Sequence, residues 1–144
     1  MGGLENSLKP MPPGITLWGK ISIKLFSWLL VHFVHISPTN VDIILEEEDF
    51  SLEEYGISGN VIYTPGHSSG SVSILLDTGE AFVGDAAMNK FPLRLSPGLP
   101  IYAEDVGELK KSWEKLLGKN VKTIYPAHGK PFSVDIMREQ IPKL

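Results

Sequence analysis

Cysteine is absent from the 144 residues, which removes disulfides and thiolate metal sites together. Any metal must therefore sit on imidazole and carboxylate. A basic cluster is missing as well: the formal net charge is -4. The densest lysines, Lys110, Lys111 and Lys115, alternate with Glu108 and Glu114, so no nucleic-acid partner is expected. No secretory signal is expected at the start of the chain, because Met1 to Pro13 is polar and broken by prolines. The cytoplasm is the expected location. There is no internal repeat and no low-complexity tract. A clean membrane-spanning run is also lacking. Residues 15–36 are strongly apolar, but Lys20 and Lys24 interrupt their first half, and what remains falls short of the about 20 residues a span requires.

What is present suits one domain with one core, since a chain of this size buries about two-thirds of the surface its unfolded form exposes. Pro10, Pro12, Pro13 and Gly14 make residues 1–14 an extended lead. A helix is predicted over 15–36, ending before Pro38. Lys20, Lys24 and Ser27 form a polar stripe at helical spacing in its first half, and Val31 and Val34 continue that line as apolar residues. A helix apolar nearly all round packs against protein or lies in a membrane surface, and the length rule favours protein.

Beyond it, Val41–Leu45, Val61–Tyr63, Ser71–Leu76, Ala81–Val83 and Val121–Tyr125 read as strands. Asp77 to Glu80 is a hairpin turn by composition. Glu46 to Asp49 reads as a solvated acidic turn. Glu104–Leu117 fits a helix with Gly118 beyond its end, and Ser133–Gln140 a short helix capped by Ser133, with 132–144 as a whole taken as the C-terminal helix. The mixture predicts an α/β layered domain over 15–144, with a sheet region at 41–131.

Three segments share a design in which a short apolar strand leads to a potential ligand beside glycine or proline: His67 after Thr64-Pro65-Gly66, Asp85 after Phe82-Val83-Gly84, and His128 between Pro126-Ala127 and Gly129. Strand ends hold side chains on rigid elements, and sites in layered α/β folds collect there. Two imidazoles and a carboxylate suit zinc, iron or manganese. Taken singly, each residue is ordinarily a loop or turn residue; the joint pattern is what carries weight.

Thr64-Pro65-Gly66-His67-Ser68-Ser69-Gly70-Ser71 resembles the T-P-G-H-T-x-G-S motif of the metallo-β-lactamase superfamily. Phe82-Val83-Gly84-Asp85 and Pro126-Ala127-His128-Gly129 resemble its two following ligand motifs, in order and spacing. The resemblance implies an αββα sandwich with one or two metal ions, zinc first, at one edge. His67 would bind the first metal, Asp85 bridge both, and His128 bind the second. It further implies hydrolysis of an ester, thioester, lactam or phosphodiester by metal-bound hydroxide; the small-molecule substrate itself is not legible.

The family's H-x-H-x-D-H cluster, which supplies the remaining ligands, is absent. His32 and His35 are spaced for one helical face but lack the accompanying acid, and core or interface histidines fit them better. The expectation is the C-terminal half of the sandwich, incomplete and inactive as an isolated chain, binding metal weakly. Half a sandwich leaves a bare apolar sheet face. A homodimer, or assembly with the missing N-terminal half, is therefore expected. The competing reading is a non-catalytic, homo-oligomeric metal-binding or interaction module derived from the same fold.

Overall fold

The computed structural model describes residues 13–15, 19–22, 43–45, 48–92 and 94–143. Among the described residues, six strands follow one another in space as they do in sequence: β1 (Phe50–Ser51), β2 (Gly59–Tyr63), β3 (Val72–Leu76), β4 (Glu80–Asn89), β5 (Thr123–Gly129) and β6 (Phe132–Ser133). All neighbours pair antiparallel except β4 and β5, which are parallel. A parallel pair requires a crossover, and helix α1 (Val106–Leu117) lies within that connection. A short helix α2 (Asp135–Gln140) follows β6.

Period-two alternation decides which face is covered. In β3, Ser73 and Leu75 point inward while Val72 and Ile74 are exposed. Leu75 joins Ile62, Ala81, Val83 and Ile124 in one core with Leu109, Trp113 and Leu116 of α1 and Met137 of α2. Helix α1 suits that role because its apolar residues recur at helical spacing, and Asp105 starts it by accepting the Glu108 amide hydrogen at 2.9 Å. Among the described residues, the other face stays open. Cross-strand register lines up Phe50, Val61, Ile74, Phe82 and Tyr125 in one row across five strands. Ile74 and Phe82 in that row are 37% and 43% exposed.

The bounds depart from expectation where tertiary pairing overrides local pattern. Ile43 to Leu45 form no strand; Ile44 is 83% exposed, and β-branched residues without a neighbouring strand have nothing to pack on. Val41 and Asp42 lie outside the described residues. Strand β4 runs six residues past Val83 because β5 keeps pairing with it as far as Asn89. Phe132 and Ser133 are strand rather than helix: pairing Phe132 with Ile124 buries its ring. The N-cap of α2 is therefore Val134, although Ser133 Oγ still accepts the Asp135 amide hydrogen at 3.3 Å.

Of the helix expected over 15–36, residues 19–22 are helical; residues 23–36, with His32 and His35, lie outside the described residues, as do residues 1–12. Gly14 pairs with Tyr102, flanked by bonds from Ile15 N to Ile101 O and from Ala103 N to Pro13 O. Among the described residues no helix is long and apolar enough to cross a membrane.

Candidate metal centre

His67 follows β2 through a tightly held turn. Thr64 is buried and shares a hydrogen bond with Ser73 across the hairpin, Oγ1 to Oγ at 2.8 Å. Ser112 of α1 donates to Pro65 O at 2.6 Å. Gly66, at φ 128°, brings the backbone so close to α1 that a Cβ there would lie 2.3 Å from Leu109 N. The imidazole that follows is oriented by the main chain, with His67 Nδ1 2.9 Å from Tyr102 O. A carbonyl only accepts, so Nδ1 carries the proton and Nε2 keeps a free lone pair in the neutral ring. That is the arrangement metal-bound histidines adopt.

Asp85 lies inside β4, not beyond its end. The β4–β5 register shifts between Phe82 and Gly84 and again between Gly84 and Met88, with Gly84 at φ 54°. A bulge of this kind re-aims side chains. Just beyond Asp85, Trp113 Nε1 donates to Ala86 O at 2.9 Å and ties the strand to α1. His128 also lies within its strand, one residue before the end of β5 and opposite Met88. Its neighbour Gly129, at φ 111°, packs on β4 so closely that a Cβ would meet Asn89 O at 1.7 Å. Each of the three residues is thus flanked by a glycine of positive φ.

These elements bring the three side chains together. Asp85 stands between the imidazoles, its Oδ2 3.8 Å from His67 Nε2 and its Oδ1 3.5 Å from His128 Nε2. Oδ1 is buried and makes no hydrogen bond, which is costly for a carboxylate oxygen unless something further satisfies it. Two donors bound tetrahedrally to one zinc ion lie about 3.4 Å apart, close to both gaps. The donor chemistry and the orphaned oxygen therefore fit a divalent metal ion. Among the described residues, however, no three histidine or acidic side chains already form a closed donor cup. The arrangement is a line of three, with the carboxylate in the middle, partly open to solvent: the side chains of His67, Asp85 and His128 are 22%, 35% and 49% exposed.

Two contributors were not singled out in the sequence. Tyr102 acts through its carbonyl, which leaves no trace in residue type. Glu104, read as the first residue of a helix, precedes it; its Oε2 accepts the Ser69 amide hydrogen at 2.6 Å. Asp49, read as part of a solvated acidic turn, instead pairs with Lys115 at 3.3 Å and with Lys119.

The sequence profile describing the Metallo-beta-lactamase superfamily matches residues 7–128. A curated relative, the Beta-lactamase-like protein 2 homolog of Drosophila melanogaster, is 28% identical over 109 residues, 74% of this chain and 32% of the relative. Among solved structures, an archaeal metallo-beta-lactamase superfamily protein from Sulfolobus tokodaii matches with a TM-score of 0.57 at 24% identity, over 89% of this chain and 52% of that one. A metallo-beta-lactamase family protein from Thermus thermophilus matches with a TM-score of 0.52 at 21% identity, over 89% and 44% respectively. The chain thus spans about a third of the curated relative it matches and about half of these solved structures.

Proposed function

This chain belongs to the metallo-beta-lactamase superfamily, and we propose that it carries one side of a metal-dependent hydrolase centre with His67, Asp85 and His128 as metal ligands. The observation behind this reading is the Asp85 carboxylate, one oxygen toward each imidazole and Oδ1 buried without a hydrogen bond. Zinc is the first choice of ion, with iron and manganese compatible with the same donors. When bound, such an ion supplies Lewis acidity and lowers the pKa of water.

The chain's own residues do the rest. Tyr102 O holds the His67 proton on Nδ1 and leaves Nε2 as donor. Asp85, fixed by the bulge at Gly84 and by Trp113 beyond it, offers both oxygens at once. His128 rides on β5 against Met88, so its position is set by the sheet rather than by a loop. Three protein donors equal in number those of a catalytic zinc site, but they stand in a line and not in a closed cup, and they fall short of a two-metal site. A second ion therefore requires donors beyond these three. The substrate class is an ester, thioester, lactam or phosphodiester.

A non-catalytic, homo-oligomeric metal-binding module is the second reading. The row from Phe50 to Tyr125 favours it, because Ile74 and Phe82 leave apolar surface exposed there, and a two-fold copy is one way to cover such a face. Zinc stoichiometry by elemental analysis, with parallel hydrolysis assays on a nitrophenyl ester, a thioester, a lactam and a phosphodiester, tests the assignment. Metal-dependent turnover lost in His67→Ala and His128→Ala supports the hydrolase. Because the isolated chain is expected to be incomplete and inactive, zinc binding without turnover supports the module only where turnover stays absent after a partner carrying the H-x-H-x-D-H half is supplied. Failure of the wild-type chain to retain zinc under any condition removes both.

A further inference from the structure

We propose that Glu104 is a positioning residue for His67, an inference that rests on His67 being a metal ligand. One segment, Tyr102 to Asp105, grips the turn that carries His67. Glu104 N donates to His67 O at 3.1 Å, Asp105 N donates to Gly66 O at 2.9 Å, and Tyr102 O accepts from His67 Nδ1 at 2.9 Å. These are main-chain contacts on one side and available to any residue. The fourth contact is specific: Glu104 Oε2 accepts the Ser69 amide hydrogen at 2.6 Å, a charge-assisted bond of the stronger kind.

Most other bonds of the turn are internal to it. Gly66 N and Ser71 N both donate to Ser68 O, and Ser68 and Ser71 share a hydroxyl contact at 2.9 Å. Tyr63 OH also holds the turn, donating to Ser69 O at 2.7 Å, but it does so from β2. Among the described residues, Glu104 supplies the side-chain anchor from the segment that also presents Tyr102 O, beside the two main-chain bonds from Glu104 N and Asp105 N. It therefore fixes the distance between the imidazole and the carbonyl that selects its tautomer. Partners of this outer kind govern ligand orientation and commonly change metal affinity by about 10–100-fold. Since Glu104 is exposed, its removal leaves the core untouched.

The test uses the full chain without metal, in which long-range proton–nitrogen NMR reports the His67 tautomer, assigned by its loss in His67→Gln. Wild type is expected to hold the proton on Nδ1. Glu104→Ala is expected to shift the ring toward the Nε2–H form that free imidazoles favour, and to speed Ser69 amide exchange at least about tenfold. Glu104→Gln, which keeps an acceptor, restores both, while Tyr63→Phe leaves the tautomer unchanged. Zinc affinity measured separately should fall about tenfold in Glu104→Ala, the lower end of the range for such partners. An unchanged tautomer in Glu104→Ala, or an equal shift in Tyr63→Phe, overturns the proposal. A wild-type chain that binds no zinc counts against the ligand assignment instead, and the tautomer result still judges the clasp.

Discussion

Gly66 and Leu109 are in main-chain contact: a Cβ on Gly66 would stand 2.3 Å from the Leu109 nitrogen and 2.4 Å from its Cα. Helix α1 therefore touches the residue before His67 directly. Gly66→Ala has to displace backbone as well as occupy positive φ, and should cost about 2–4 kcal/mol in urea unfolding. Gly84→Ala is the matched control. It has the same problem of handedness but nothing within 4 Å of the added carbon, so only the conformational cost of about 1–2 kcal/mol should appear.

Trp113 gives the core a second link to the site. It is fully buried, and its indole nitrogen donates to Ala86 O next to Asp85. Trp113→Ala should cost about 3–5 kcal/mol through the cavity it leaves. Trp113→Phe keeps most of the volume but strands the Ala86 carbonyl, for about 1–3 kcal/mol. Calorimetric unfolding of both variants measures the two contributions separately.

Asp85→Asn should separate stability from binding. It removes a charged oxygen that is buried without a hydrogen bond, so the metal-free protein should unfold at the same temperature or higher, by about 1 kcal/mol at most. Zinc retention should fall to background in elemental analysis. A variant that loses stability without metal would show that Asp85 is held mainly by its two histidines.

The acid limb of stability should include Asp49. Its pKa is lowered, first by the hydrogen bond from Lys119 and then by that from Lys115, against some desolvation. A carboxyl depressed in the folded state adds stability that is fully present above its unfolded pKa and is lost as pH falls through the folded value. The loss belongs below about pH 4, the ordinary aspartate range. The side chain is 30% exposed, so the contribution is under about 1 kcal/mol. Asp49→Asn should flatten the urea-midpoint profile in that window and match wild type once the carboxyl is protonated.

Phe82 stacks on Tyr125 with ring centroids 4.9 Å apart and 27° between planes, in the middle of the open face. If two copies meet there, Phe82→Asp should yield a monomer near 16 kDa in sedimentation equilibrium at micromolar concentration, with the fold retained. A wild-type chain that is already monomeric and well folded refutes the dimer.

The motifs legible in the sequence were those whose chemistry is carried by side chains next to a backbone turn. His67, Asp85 and His128 stand together because Gly66, Gly84 and Gly129 take positive φ beside them, and glycine next to a potential ligand is visible in a string of letters. Strand β3 and helix α1 were legible from periodicity to within about two residues. Tyr102 was not, since a carbonyl's aim depends on the fold and any residue supplies one. Strand β6 was missed because Phe132-Ser133 gains its extended form only from pairing with β5. The segment Ile43 to Leu45 shows the reverse error, where propensity without a partner produced no strand.

The parallel pairing of β4 with β5 is also expected to order events in time. His67, in the turn between β2 and β3, and Asp85, on β4, belong to consecutive antiparallel neighbours, whose local contacts close with little loss of chain entropy. His128 reaches Asp85 only after the long connection containing α1 has been laid across the sheet and β5 has docked alongside β4. Contacts of such separation form late. A pulse-labelling exchange experiment should accordingly find amides of β2 and β3 protected before those of β5. The acidic middle of the site then exists with one imidazole before it acquires the second.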